Sequence, residues 1–409
     1  MVDRLLEGVK VLDLSMHLAG PYGSMLLADM GAEVVKVEPP AGDPLRSIEP
    51  TKDGVPLLWA SVNRNKRGIV VDLGTEEGRA LALDLVREVD VVWNNFRPGV
   101  MERLGLGFDV VRQANPRIVY GSLSGYGQTG PRRSSPAYDT AIQALAGIMS
   151  LTGHEGGEPA RAGVPIADLS GGIFLAMGVL AGLVKRDRTG EAVMIDVSML
   201  DTQISLLVYW AALSMNLGDV PPPQGSGNSN VYPYGAFETS DGHIIVAVWS
   251  GSFWPKLCDA IGRPDLAEEE RFDSNTKRVA LRAELGAILR SELVQRTTAE
   301  WLKVLDEFDV PSGPVNDVGG AMAEPQVLAR GMRMPIQIGD DIYEFAGNPI
   351  KTMPDAVAPR AAPPAKGQDT VGVLERLLGM DRSAVDALID AGVVVAADAP
   401  ADDRGAPRP

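Results

Sequence analysis

Residues 9–38, VKVLDLSMHLAGPYGSMLLADMGAEVVKVE, decide the fold. VKVLDL (9–14) has the apolar run of a buried strand, MHLAGP (16–21) is a turn, YGSMLLADMGAE (22–33) is a helix ended by Gly31, and VVKVE (34–38) is a second strand. Strand, helix and strand in this order make a βαβ unit. The buried-strand pattern recurs in RGIVVDL (67–73), VDVVWNN (89–95) and RIVYGSLSG (117–125), with helical stretches such as GTEEGRALALDLVREV (74–89) between them. The fold class is therefore α/β, a parallel sheet covered by helices.

Residues 1–200 read as one large domain. GDVPPPQGSGNSN (218–230) is too rich in Pro, Gly and polar residues to continue a helix, and a linker is expected over 201–227. YGAFETSDGHIIVAVWS (234–250) alternates around a Ser-Asp-Gly turn like an antiparallel hairpin, and helical segments follow it from Gly251 to Leu305, so 228–325 reads as a smaller α+β domain. Residues 326–395 are a Pro-rich, irregular stretch to Gln368 and then helical stretches at Thr370–Leu378 and Ser383–Ala391, a return to the large domain. The last residues, 396–409, lack apolar anchors and are expected to be disordered.

With 409 residues the chain can bury a large core, and two domains are the prior expectation. A net charge of -16 argues against a phosphate-backbone binder, so nucleic acid is not an expected partner. A polyphosphate ligand stays compatible with it if basic residues gather in one cleft. One cysteine, Cys258, excludes an intrachain disulfide, and with His17, His154 and His243 the only histidines no metal centre is expected. No signal peptide is seen at the start, and the apolar stretches at Ile173–Val184 and Ile204–Leu217 fall short of a membrane span, which makes a cytoplasmic protein with no membrane partner the expectation.

The first turn is Ala19-Gly20-Pro21-Tyr22-Gly23, not Gly-x-Gly-x-x-Gly, so it reads as turn chemistry rather than a dinucleotide site. Asn63-Arg64-Asn65-Lys66-Arg67-Gly68 places three cations in one turn, suited either to a phosphate group or to solvent. Lys36, Arg46, Arg97, Arg103, Arg132 and Arg133 also fall in or near expected loops. Asp168 precedes an apolar helix in GVPIADLSGG (163–172), where an acid is either an N-cap or a nucleophile that the helix terminus keeps ionised. Asp139 reads as a cap and Tyr138 as a donor or a wall. His17 and His243 receive no catalytic role.

Taken together, VLDLSMHLAGPYGSMLLADMGAEVVKVEPPAGDPLR (11–46), NRNKRGIVVDL (63–73), NNFRPGVMERLGLGFD (94–109), YGSLSGYGQTGP (120–131), ADLSGG (167–172), DVSMLD (196–201) and GPVNDV (313–318) closely resemble the class III CoA-transferases. The resemblance runs over nearly all of residues 5–395. It implies a Rossmann-like large domain plus a smaller α+β domain, in an interlocked homodimer whose active site lies between one subunit's large domain and the other's small domain. It implies CoA bound by segments holding His17, Leu18, Lys36, Arg46, Arg67, Asn95, Phe96, Arg97, Arg103 and Tyr138, with acyl-CoA as substrate, no metal and no redox cofactor. Asp168 falls on the family's catalytic aspartate, and the loop GSGNSNVYPYG (225–235) on its glycine-rich flap, with fewer glycines. Racemases of the same fold are similar in carrying Gly-His-Asp where this chain has Ala137-Tyr138-Asp139. Tyrosine titrates near 10, far from the neutral range of histidine, so a transferase is expected ahead of a racemase or a non-catalytic CoA binder. Backbone N–H groups around Gly171, Gly172 or the flap are candidate oxyanion donors. Arg132 and Arg133 suit a small dicarboxylate acceptor, and Arg161 is expected to border the cleft.

Overall fold

The computed structural model describes residues 4–353 and 361–397, so the expected disordered tail lies, from residue 398 onward, outside the described residues. The chain divides into two compact units: 1–148 with 161–218 and 329–409, and 149–160 with 219–328.

The first unit is built on β1 (Lys10–Asp13), α1 (Ala19–Asp29), β2 (Glu33–Glu38), α2 (Leu57–Asn63), β3 (Arg67–Val71), α3 (Glu76–Arg87), β4 (Val91–Asn94), β5 (Val119–Ser124), α4 (Asp139–Leu145), α5 (Ile166–Thr189), β6 (Val193–Ser198), α6 (Met199–Leu206), α7 (Tyr209–Leu217) and, at the return of the chain, α8 (Thr370–Leu378), α9 (Arg382–Asp390) and β7 (Val394–Val395). The sheet order is β7-β3-β2-β1-β4-β5-β6. All neighbours are parallel except β7, which runs antiparallel to β3. The central strands are rich in buried apolar residues because helices cover both faces. One face packs Leu12, Val35, Ile69, Val92 and Tyr120 with α3, α8 and α9; the other packs Val11, Val34, Val91 and Val119 with α1 and α5.

Helix α1 starts at Ala19, three residues before the sequence places it, because Pro21 is accommodated in the first helical turn. Helix α5 extends to 24 residues and is long and apolar enough to cross a membrane by length and composition, longer than the apolar run at Ile173–Val184 suggests. Half of its apolar window is buried inside the protein, against α1 and strands β5 and β6. Such packing is that of a core helix. Gly23 and Gly172 let α1 and α5 approach: a Cβ on Gly172 would stand 2.5 Å from the Ala19 carbonyl oxygen. The region expected to be irregular up to Gln368 contains an antiparallel hairpin, Arg333–Ile338 with Asp341–Ala346, whose Met334, Ile336, Tyr343 and Phe345 pack on Ala60. Alternation around Gly339 in RMPIQIGDDIYEFA was the readable signal.

The second unit packs a three-stranded antiparallel sheet, Tyr234–Glu238, His243–Ala247 and Ser312–Pro314, against helices Phe253–Ala260, Arg282–Leu293 and Thr298–Glu307. Its core holds Phe237, Ile244, Trp254, Leu257, Phe272, Leu289 and Trp301.

Candidate active site

From β1 the chain steps to β2 and β3 on one side, and β4, β5 and β6 follow on the other. Open α/β sheets bind ligands in the crevice outside the carboxyl ends of the strands at such a reversal, here between β1 and β4. Asn95, just after β4, clamps the loop that leaves β1: its Oδ1 accepts the Met16 N–H at 2.8 Å and its Nδ2 donates to the Met16 carbonyl at 2.7 Å. Past this clamp His17 takes a left-handed conformation, φ 62°, and is exposed. Gly20 is required beneath it, since a Cβ there would meet the Ser15 side chain at 2.3 Å. His17 and Leu18 after β1 and Asn95, Phe96 and Arg97 after β4 therefore lie on neighbouring loops at the carboxyl ends of two adjacent strands. Arg103, exposed, follows on the short helix Val100–Arg103 of the same segment.

Beneath these loops lies a cluster of buried charges. Asp13, at the end of β1, takes Ser15 and Ser24 hydroxyls and the Lys66 ammonium, 3.2 Å away. Lys36 bonds Asp43 at 3.0 Å and the Ser15 carbonyl. Asp43 in turn accepts the His17 N–H at 3.3 Å. Burial pushes the Lys66 ammonium down to about 8 against the pull of Asp13. Burial alone would raise Asp13, but Lys66 and Lys36 hold it below its ordinary value. Lys36 lies inside β2, the strand expected at 34–38, while Arg64 and Lys66 correct the sequence reading by lying buried rather than facing phosphate or solvent. Arg64 forks onto Asp29, with contacts of 2.7 and 3.0 Å. Buried charges persist only when paired, and their partners here are distant in sequence.

Arg46 is committed to Glu38 by two 2.7 Å hydrogen bonds and stacks on Trp59 at 3.8 Å. Arg67, first residue of β3, faces Glu33 at 3.5 Å and Asp369 at 3.8 Å. A hollow of ≈ 340 Å³ lies at the opposite, amino end of the strands, lined by Lys10, Arg87, Asp90, Asn115, Arg117 and Arg186. The Asp90–Arg186 pair at 2.6 Å neutralises its floor. None of the candidate residues lines it.

Asp168 occupies the third position of α5 and is not its N-cap, which is Pro165. The capping is delivered by Asp139, the first residue of α4. Its Oδ1 accepts the N–H groups of Ala167 at 2.8 Å and Asp168 at 3.3 Å, and its Oδ2 accepts from Gln143 at 2.6 Å. Gln143 Oε1 then accepts the N–H of Ala162. The Asp168 carboxylate itself has no hydrogen-bond partner among the described residues and is pushed up to about 7, first by burial and second by the charge of Asp139. One helical turn on, about 6 Å along the axis, Gly172 touches Ala19 beside the His17 loop. Asp168 thus stands one helical turn from the contact of α5 with α1. Tyr138, 76% exposed, stands beside Asp139.

Gly171 and Gly172 lie within α5, where their N–H groups belong to the helical ladder, so they are packing residues and not oxyanion donors. In the second unit, the loop resembling a flap is tied down: Arg282 donates to the Asn228 and Ser229 carbonyls, Asn275 to Asn230, and Arg278 to Tyr232. Sequence reasoning missed Asp43, Gln143 and Gln203. Only Asp43 carries a local signal, an acid before Pro44 that caps the turn Pro44–Ser47.

The family model for CoA-transferase family III matches residues 6–370. The chain is 40% identical to an acetyl-CoA:oxalate CoA-transferase of Acetobacter aceti, covering 84% of this chain and 88% of that one. It is 35% identical to the human succinyl-CoA:glutarate CoA-transferase, over 95% of this chain and 90% of that one. Among solved structures it is similar to a CAIB/BAIF family protein from Brucella suis, with a TM-score of 0.84 and 35% identity, covering 92% of this chain and all of that one. With a family model matched over most of its length and relatives of 35–40% identity, the chain belongs to CoA-transferase family III.

Proposed function

We propose that this enzyme moves CoA from an acyl-CoA to a free carboxylic acid through covalent intermediates on Asp168. The observation that supports this most is the state of that carboxylate: half-buried, without a hydrogen-bond partner among the described residues, and pushed up to about 7. A carboxylate stripped of water and hydrogen bonds is a stronger nucleophile than a solvated one, and the terminus of α5 keeps it ionisable near neutrality. Its oxygen adds to the donor carbonyl and the carbon–sulfur bond breaks, giving a mixed anhydride and CoA thiolate. The thiolate attacks the aspartyl carbonyl, giving an aspartyl thioester and releasing the donor acid. The acceptor carboxylate then expels the thiolate to form a second anhydride. Attack of the thiolate on the acceptor carbonyl yields the new acyl-CoA and restores Asp168. Asp139 is already engaged with three donors, which leaves it no lone role as the second acid/base of a racemase.

CoA is read as lying in the crevice, which has the Rossmann-like strand order, with His17, Leu18, Asn95, Phe96, Arg97, Arg103 and Tyr138 around it. The buried Lys36 and the paired Arg46 serve it by fixing the His17 loop and the end of β2. The acceptor is read as a small dicarboxylate: relatives are named for glutarate and oxalate, and Arg132 and Arg133 present exposed guanidinium groups two turns of loop before Tyr138. A homodimer is supported by α7, which buries none of its residues although it carries Tyr209, Met215 and Leu217, and by Ile173 and Met177 exposed on α5. Apolar surface of this extent calls for a partner, and a second threaded copy supplies it.

An exchange panel tests the reading: acyl-CoA donors against mono- and dicarboxylates, with products identified by mass. Transfer by the wild type that is lost in a folded Asp168→Ala variant is the expected result. Incorporation of solvent deuterium at the acyl α-carbon without transfer would overturn it.

A further inference from the structure

Helix α6 lies along α5 and turns Thr202 and Gln203 inward, with Gln203 fully buried. The Gln203 amide nitrogen donates to the Ser170 hydroxyl at 2.9 Å and reaches the Ile166 carbonyl at 3.4 Å. The Thr202 hydroxyl stands 3.3 Å from the same Ser170 oxygen. The Gln203 amide oxygen is buried with no hydrogen-bond partner among the described residues. An unpaired acceptor carries its full desolvation penalty, which a leucine or methionine of similar volume would avoid. A residue that breaks a packing rule at a cost is best sought near a site.

Ile166 and Ser170 stand two residues before and two after Asp168, so a single amide spans the turn that carries it. The first turn of any helix lacks intrahelical partners for its N–H groups and is the part that frays. Asp139 holds this turn by the N–H groups of Ala167 and Asp168, and Gln203 holds it by a carbonyl and a hydroxyl from the core side. We propose that Gln203 is a positioning residue, which keeps the first turn of α5 closed while the Asp168 side chain is acylated and then loaded with CoA. This rests on the reading of Asp168 as nucleophile. The load on the turn changes at every step, and a misplacement of about 1 Å costs roughly 100-fold in rate.

Gln203→Met preserves volume and removes the donor; Ser170→Ala removes the receiving hydroxyl. The expected result for Gln203→Met is a kcat lower by roughly 10- to 100-fold, an unchanged KM for acyl-CoA, a Tm equal to or above wild type, and an acid limb of the kcat–pH profile moved to lower pH as water reaches Asp168. Ser170→Ala moves the same quantities less. Loss of kcat only in proportion to loss of folded protein, or a wild-type kcat and pH profile in Gln203→Met, overturns the proposal. Asp168→Ala is measured beside them. Transfer retained there sinks the nucleophile reading and this proposal together, whereas an inactive Asp168→Ala with a wild-type Gln203→Met sinks this proposal alone.

Discussion

The Asp139 carboxylate holds the backbone N–H of Asp168 at 3.3 Å while its charge opposes the ionisation of the Asp168 side chain. One acid thus fixes the main chain of another and raises its carboxyl. The amide dipoles at the start of α5 favour both negative charges, which lets them coexist at one helix terminus.

Asp139→Asn keeps an acceptor for Ala167 and removes the charge. With that charge gone, the Asp168 carboxyl moves down from about 7, toward the ordinary range but not into it, because burial is the larger cause. The acid limb of kcat against pH is expected to shift to lower pH while the fold stays intact. A limb that stays in place would remove Asp139 from the electrostatics of the site.

Removing the nucleophile stabilises the fold. A carboxyl raised in the folded state binds its proton more tightly there, so the stability it supports is complete at low pH and is lost as pH rises through about 7. Asp168→Asn escapes this loss. Its denaturation free energy is expected to match wild type near pH 4 and to exceed it by about 2 kcal/mol at pH 8, a figure reduced for partial exposure.

Asn95→Asp tests the crevice clamp. A carboxylate still accepts the Met16 N–H but has no proton to give the Met16 carbonyl, which leaves two oxygens facing each other. The KM for acyl-CoA is expected to rise by about tenfold with a smaller change in kcat, equivalent to one hydrogen bond of about 1.4 kcal/mol. Equal loss of kcat at constant KM would place Asn95 in the chemistry instead.

Met215→Asp on α7 tests self-association. The side chain is 79% exposed, so the substitution does not disturb the folded chain itself. Sedimentation is expected to show dissociation or loss of soluble dimer, and transfer activity falls with it. A monomeric wild type would refute the dimer.

The sheet was legible because parallel strands covered on both faces are written as apolar runs: VKVLDL, RGIVVDL, VDVVWNN and RIVYGSLSG each yielded a strand. What stayed hidden involved partners far apart in sequence. Lys66 reads as a surface cation until Asp13, fifty-three residues away, is folded beneath it. The residues around Asp168 leave cap and nucleophile open, and the cap, Asp139, comes from another helix twenty-nine residues earlier. Gln203 sits mid-helix in a stretch with no motif, and only the packing of α6 on α5 gives its amide a purpose. The hairpin at 333–346 was legible in its alternation around Gly339 and was passed over because the surrounding stretch is rich in proline.

In the proposed mechanism Asp168 itself bears the acyl and CoA groups, and an oxygen label carried by the acceptor follows them. In each turnover the bridging oxygen of the second anhydride comes from the acceptor and stays on the aspartate. Enzyme is turned over with acyl-CoA and an acceptor acid labelled with oxygen-18 in its carboxylate, then digested, and the peptide containing Asp168 is weighed. Oxygen-18 is expected in the Asp168 side chain, accumulating with turnover and absent without acyl-CoA. Transfer of CoA to the labelled acid with an unlabelled Asp168 would contradict this mechanism.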